Sequence, residues 1–428
     1  MSDSQYSFKK SSLHHILILQ LLFLFISGLS AQEDIVAFNT HKKSISVSFE
    51  LINNLVILPV SINDSDTLRF ILDTGINTAL ITELTSKDNL TLNYTKETLL
   101  QGLGSGKTVS AILSANNQIK IGEITYSGLD VNVIMEDVFH LSTWLGMNVH
   151  GILGYPVFKD FIVELNYASR TLTFHKPSEF KLRQPFFPWQ QPFFTLPLVM
   201  NETKPYIIGH LLQEDGSRIP VKLLIDTGAS HALWLDSFTN DKIVPPENTI
   251  EAYLGSGLNG EMNGKVGRVP GFELGTFTFK NLPVAYPDSF SIANAIGIDN
   301  RNGSMGAEIL RRFNVILNYS AHEMYLQPNA YFNKPFAHNM GGCEVSAPMP
   351  GLPVYVVSKI RPDSPADKAG MKTEDQLLYI NNQNVVKLSL QDINEIFRGK
   401  EGRKIKITAE REGKIVSFSF ILKDPLSF

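Results

Sequence analysis

Two aspartates in this chain stand in almost the same setting. Asp73 ends the apolar run LRFIL and is followed by Thr74, Gly75 and INTALIT; Asp226 ends VKLLI and is followed by Thr227, Gly228 and ASHALWL. One Asp-Thr-Gly is an ordinary turn, in which Asp caps its own backbone and Gly accepts a positive φ. Two copies in matched contexts offer different chemistry, because two carboxylates can then meet around one water. At such close range both cannot ionise, and they share a proton. The ionised member acts as general base on the water, while the protonated member polarises the carbonyl under attack. No covalent intermediate and no metal enter such a reaction.

For two carboxylates to meet, two similar units must carry them. GILGYPVFKDFIVELNYASRTLTF from Gly151 lies on GSMGAEILRRFNVILNYSAHEMYL from Gly303, pairing Gly154 with Gly306, Phe161 with Phe313, and Leu165-Asn166-Tyr167 with Leu317-Asn318-Tyr319. LGSG at Leu103–Gly106 recurs at Leu254–Gly257. These anchors keep nearly one offset, which marks a duplication with slippage in the loops. Upstream of Asp73, SISVSFELINNLVILPVSINDSDTLRFIL alternates apolar and polar residues with turn signals at Asn53-Asn54 and Asp64-Ser65-Asp66. That pattern, rich in β-branched and aromatic residues, predicts short antiparallel strands. The copies are expected over 36–180 and 185–330, joined by a Pro- and aromatic-rich connector from His175 to Pro197. A Pro/Gly/Asn-rich stretch from Gln327 to Gly351 precedes a compositionally different segment, 345–428.

The duplicated residues resemble the retropepsin-like aspartic proteases, with two lobes fused in one chain. The resemblance rests on Asp73-Thr74-Gly75 with Ile152-Leu153-Gly154, and on Asp226-Thr227-Gly228-Ala229 with Ser304-Met305-Gly306. It implies a mainly β fold of two β-barrel lobes in a pepsin-like bilobal arrangement, with Asp73 and Asp226 catalytic at their junction. Thr74 and Thr227 would cross-bond between lobes, Gly75 and Gly228 would let the backbones approach, and Gly154 and Gly306 would let a strand pass behind each Asp turn. QGLGSGK at Gln101–Lys107 looks like a first flap, with Gly102, Gly104 and Gly106, and LGSGLNG at Leu254–Gly260 like a second, with Gly255 and Gly257. The implied activity is an aspartic endopeptidase acting on peptide or protein substrates, with no cofactor and no metal; the alternative is a catalytically silent peptide-binding or scaffolding protein. Ser304 stands where the family has an apolar residue, and Ile76 where Ser or Ala is usual. His231 aligns with Thr78 and reads as an ordinary lobe residue. Ile76 and Ala229 bring no hydroxyl to the carboxylates, which predicts a working range from mildly acidic to near neutral.

PVYVVSKIRPDSPADKAGMKTEDQLLYINNQNVV resembles a PDZ domain of the kind found in bacterial exported proteases, an α+β unit. Ser364 caps a short helix that ends at Gly370, Asn381-Asn382 mark a turn, and SLQDINEIF has helical spacing with Leu390, Ile393, Ile396 and Phe397 on one face. The resemblance implies a groove that accepts a carboxyl-terminal peptide as an added strand. The carboxylate loop is expected at Gly351–Val354 and the groove residues at Leu352, Val354, Val356, Ile393 and Phe397. Pro353 has no amide proton to give, which leaves two roles open: recruiting substrate, or docking on the lobes.

Composition narrows the remaining choices. The 428 residues are 43% hydrophobic and 19% charged, a globular balance with formal net charge -4 and no basic run that could track a phosphate backbone, so nucleic acid is not an expected partner. A lone cysteine, Cys343, excludes an intramolecular disulfide. Lys9 and Lys10 precede an apolar stretch from Ile16 to Ile26 and small residues up to Ala31, the layout of a signal peptide over 1–31. A periplasmic or extracellular address is expected, or a membrane anchor if the stretch stays uncleaved. Since one chain supplies both aspartates, a monomer is expected to suffice.

Overall fold

The computed structural model describes residues 35–38, 41–84, 87–104, 108–185, 191–292 and 300–426. The expected signal peptide and Gly106 lie outside them. Among the described residues no helix is long and apolar enough to cross a membrane.

Each sequence copy closes into a six-stranded barrel. In the first, Leu55–Ile62 and Leu68–Leu72 form an antiparallel hairpin, and Gly151–Leu153 adds parallel to the second of them. Ala79–Ile81 follows antiparallel, Ile124–Ile134 parallel and Val109–Ile121 antiparallel, and the last pairs back with the first strand. The second barrel repeats that order and those directions with Lys204–Leu212, Arg218–Asp226, Gly303–Gly306, Leu233–Leu235, Phe277–Pro287 and Gly260–Leu274. Closure leaves no barrel edge free. In both, the strand that carries the aspartate runs beside the strand that ends in Leu153-Gly154 or Met305-Gly306, so the spacing seen in sequence becomes adjacency.

A further six-stranded antiparallel sheet joins the barrels, in the order Phe194–Pro197, Glu323–Pro328, Phe313–Asn318, Ile162–Asn166, Thr171–His175 and Ser44–Ser48. Its central pair sets equivalent strands against each other: Val163 opposes Leu317 and Leu165 opposes Val315, a two-fold exchange of aligned residues. The end of the expected connector supplies an outer strand here, where Pro197 needs no ladder partner. One apolar core runs from Phe70 and Phe174 through this sheet to Phe272 and Phe313. With each buried Phe or Leu contributing about 1.5–3 kcal/mol, the two barrels behave as one body.

The C-terminal region has its own core, including Cys343, Val345, Ile393 and Phe397. Its sheet runs Cys343–Ser346, Val356–Ile360, Gln376–Ile380, Lys404–Arg411 and Lys414–Ile421, so it starts at Cys343 rather than at 345. Ser389 and Asp392 form a capping box at the start of the helix Leu390–Phe397. That helix packs on the outer strand Cys343–Ser346.

This arrangement corrects the expected peptide groove. Val356–Ile360 is paired with Cys343–Ser346 along one side, and Val356 meets Gln376 on the other. The outer strand of the sheet is therefore Cys343–Ser346, headed by Met340-Gly341-Gly342, whereas Gly351–Val354 only links the first two strands. Leu352, Val354 and Val356 lie away from that outer strand's free side, and Ile393 and Phe397 are buried in the domain's own core. The short strand was hidden in a stretch whose Pro, Gly and Asn content reads as connector.

That connector is held down. Arg312, 1% exposed, pairs with Glu308 at 2.9 Å, and its guanidinium donates to the carbonyls of Tyr331 at 3.3 Å, Phe332 at 3.1 Å and Lys334. Its charged plane also lies 3.7 Å from the centre of the Phe336 ring.

Candidate active site

The two Asp-Thr-Gly turns meet at the junction of the barrels. Thr74 Oγ1 donates to the Ile225 carbonyl at 2.5 Å and accepts from the Thr227 amide at 3.1 Å. Thr227 Oγ1 donates to the Leu72 carbonyl at 2.8 Å and accepts from the Thr74 amide at 3.1 Å. Both threonines are buried. The four bonds are reciprocal, so neither turn can shift without breaking bonds to the other.

Each aspartate is fixed by its own turn. Asp73 Oδ1 accepts from the Gly75 amide at 2.6 Å, and Asp226 Oδ1 from the Gly228 amide at 3.1 Å. A Cβ at Gly75 would lie 3.0 Å from Asp73 Oδ1 and 3.9 Å from Asp226 Oδ1, and one at Gly228 would lie 2.4 Å from Asp73 Oδ2. Both carboxyls thus lie around these two glycines, and at Gly228 a side chain would overlap Asp73. Behind them, a Cβ at Gly154 would fall 2.2 Å from the Ile76 carbonyl oxygen and one at Gly306 2.3 Å from that of His231.

Burial is the largest cause of a raised pKa for both carboxyls. Asp73 is pushed up to about 6, opposed by the Gly75 amide and the Lys204 charge. Asp226 is pushed up to about 8, with the neighbouring Asp73 charge adding to burial and Arg301 and the amides of Gly228 and Ala229 opposing. Such a coupled pair titrates in two steps, with a singly protonated form between them.

The two flaps touch. Leu103 O accepts from the Asn259 amide at 2.8 Å, the Gly102 amide donates to Asn259 Oδ1 at 2.5 Å, and the Gly104 amide donates to Ser291 O at 3.0 Å. Gly104 and Gly255 share a left-handed φ, +122° and +128°, as their alignment implies. A Cβ at Gly257 would sit 2.2 Å from Leu103 O, and one at Gly102 2.9 Å from Leu258 Cβ. These glycines therefore serve close contact between flaps as well as chain reversal.

Other contacts were not legible from residue types. The turn at Asn54 reaches into the other lobe and donates to Ser230 O at 3.0 Å and Glu308 Oε2 at 2.9 Å. Its counterpart, Thr203, donates to Asn77 Oδ1 at 2.6 Å. Asn77 and Ser230 are the residues four beyond each catalytic candidate, so each lobe braces the other's loop. Only the turn propensity of Asn53-Asn54 showed in the sequence. The unusual Ser304 also has a partner: its hydroxyl lies 3.1 Å from His231 Nε2. Burial lowers the His231 pKa to about 4, so a neutral imidazole fills the place that apolar packing takes in the first lobe. Among the described residues no cluster of three or more His, Cys, Asp or Glu is placed to hold a metal ion.

Comparison with known proteins agrees with this geometry. The sequence model of the aspartyl protease family matches residues 58–157 and 214–308, one segment in each barrel, and that of the PDZ domain matches 356–411. The chain is 37% identical over 60 residues to the carboxy-terminal processing protease CtpA of Bacillus subtilis (strain 168), covering 14% of this chain and 13% of that protein. It is 35% identical over 69 residues to the probable 26S proteasome regulatory subunit p27 of Saccharomyces cerevisiae, covering 16% and 31%. The chain thus spans less than a third of either relative.

Proposed function

From a chain whose two barrels are lobes of the retropepsin-like aspartyl protease family and whose C-terminal sheet is a PDZ domain, we propose an endopeptidase that hydrolyses peptide bonds with a water held between Asp73 and Asp226. The observation that carries this reading is the reciprocal threonine bonding, which holds the two Asp-Thr-Gly turns against each other. One carboxyl of the pair keeps the shared proton and donates it toward the scissile carbonyl oxygen, while the other takes a proton from the water as that water attacks. As the C–N bond of the resulting tetrahedral diol breaks, the proton taken from the water passes to the leaving amine and a diol hydroxyl returns its proton to the other carboxyl, which restores the pair. The flaps, bonded to each other through Asn259, would close over a bound peptide and exclude bulk solvent, which strengthens these electrostatic effects.

The test is cleavage of a complex peptide mixture by the full chain, with and without a pepstatin-like inhibitor. Inhibitor-sensitive cleavage is expected, with specific activity unchanged on dilution because one chain holds both aspartates. No cleavage would leave the alternative of a silent peptide-binding protein, and cleavage indifferent to the inhibitor would overturn the aspartic dyad. The exported address belongs to the same proposal, and cell fractionation checks it.

A further inference from the structure

The second flap is gripped by the PDZ domain. Tyr253 and Glu261 stand on the two strands of that flap, Thr249–Gly257 and Gly260–Leu274. Lys359 of the PDZ strand Val356–Ile360 places its Nζ 2.8 Å from Glu261 Oε1 and 3.4 Å from the centre of the Tyr253 ring. Trp144, on the first-lobe helix Leu141–Leu145, packs on the same tyrosine with ring centres 5.6 Å apart. The flap hairpin is therefore held by a cation from one domain and an indole from another, while its tip bonds the first flap through Asn259.

The same first-lobe helix reaches the PDZ groove. Thr143 O accepts from the Ala347 amide at 2.9 Å, just past the outer strand Cys343–Ser346. Gly146, at φ +73°, lies so close to the groove helix that a Cβ there would be 2.9 Å from Leu390 Cβ and 3.8 Å from Ala347 Cβ. Segment 143–146 thus fills the mouth between the strand and the helix. A peptide laid antiparallel to Cys343–Ser346 would have to displace this segment and, at the start of the strand, the Asn339 side chain that donates to the Cys343 carbonyl at 2.7 Å. Lys359 is opposite Glu344 of that outer strand, so a change in the strand is felt directly at the clamp.

We propose that the PDZ domain is a releasable clamp on the second flap, with Lys359 as a positioning residue for the active site, and that a carboxyl-terminal peptide releases it by displacing 143–146 from the groove mouth. This deepens the protease reading and rests on it for its kinetic arm. The clamp is suited to release because the PDZ domain keeps a core separate from that of the lobes, so freeing the flap exposes neither core.

The experiment uses the full chain and a short internal peptide substrate that cannot occupy the groove. Lys359→Ala should lower kcat/KM about three- to ten-fold, mainly in kcat, the scale of one exposed ion pair plus one cation–π contact, and Lys359→Arg should restore most of it. Amide hydrogen exchange in 249–274 should quicken in Lys359→Ala. A hexapeptide with an apolar carboxyl terminus should have both effects on the parent, its amidated form neither, and it should add nothing to Lys359→Ala. Unchanged exchange and turnover in Lys359→Ala would overturn the proposal, as would a hexapeptide effect of equal size in parent and variant. Were the parent inert toward peptides but its flap exchange responsive to Lys359→Ala and hexapeptide, the clamp would stand and the protease reading alone would fall.

Discussion

The two Asp-Thr-Gly loops match in their front halves and differ behind. At the junction the bonds of Thr74 and Thr227 mirror each other, and so do the braces from Asn54 and Thr203. Behind Asp73 the packing is apolar, with Ile76 and Ile152; behind Asp226 lie Ala229 and the His231–Ser304 pair. The flaps differ as well, since the second is the one in contact with Trp144 and Lys359. Symmetry is kept where the proposed reaction needs two equal arms. It is dropped behind the turns, where Ile76 and Ile152 answer to Ala229 and the His231–Ser304 pair, and in the flaps.

The largest expected effect tests the front half. Asp73→Asn and Asp226→Asn should each lower kcat/KM by about 10²–10⁴-fold, because either removes one member of the acid–base pair. Near-normal turnover in either variant would mean that the two loops are not partners.

Next come the threonines. Thr74→Val and Thr227→Val each remove a hydroxyl that donates to a buried carbonyl and accepts from a buried amide across the junction. A loss of about 1–3 kcal/mol per variant is expected in chemical denaturation, and nearly the same for both. Clearly unequal losses would show that one turn carries the junction and the symmetry is only apparent.

The pH profile probes the asymmetry. With the pair's pKa values raised to about 6 and about 8, the singly protonated form occupies the interval between, so kcat/KM should peak near neutrality. Ala229→Thr, by offering a hydroxyl to the ionised carboxylate, should move the acidic limb to lower pH; an optimum near pH 3 or an unmoved limb would refute this account. The same shifts bear on stability. From the ordinary value of 3.8 up to about 8 the folded chain binds more protons than the unfolded one, so these groups make the fold less stable as pH rises. Asp226→Asn should therefore raise Tm relative to the parent at pH 8 and leave it almost unchanged at pH 3.5. An equal gain at both values would mean the carboxyls are not raised.

The smallest effect concerns His231 and Ser304. Ser304→Ile and His231→Thr together, which copy the first lobe, should cost less than the sum of the single variants, within about 1 kcal/mol overall. Strict additivity in a double-mutant cycle would mean that the pair is adventitious.

The duplicated lobes were readable because their information is local. An aspartate at the end of an apolar run, a glycine behind it and strand-length alternation all lie within windows of a few residues, and repetition doubled each signal. The flap alignment was readable for the same reason, through Gly104 and Gly255. The PDZ groove was misplaced because its strand, Cys343–Ser346, is four residues long in a Pro- and Gly-rich stretch, and an edge strand declares itself only through its neighbour.

By itself, then, the amino-acid sequence determined two barrels, a matched Asp-Thr-Gly turn in each and a third domain of a different kind, since these follow from periodicity, turn chemistry and the repeat. Tertiary structure alone decided the sheet that joins the lobes, the grip of Asn259 between the flaps, the pairing of Ser304 with His231, and the seat of Lys359 on Tyr253 and Glu261. Each depends on residues distant in the chain whose types suit many partners: a lysine on a strand can meet solvent as readily as a tyrosine. Only the packing of three domains against one another restricts it to one.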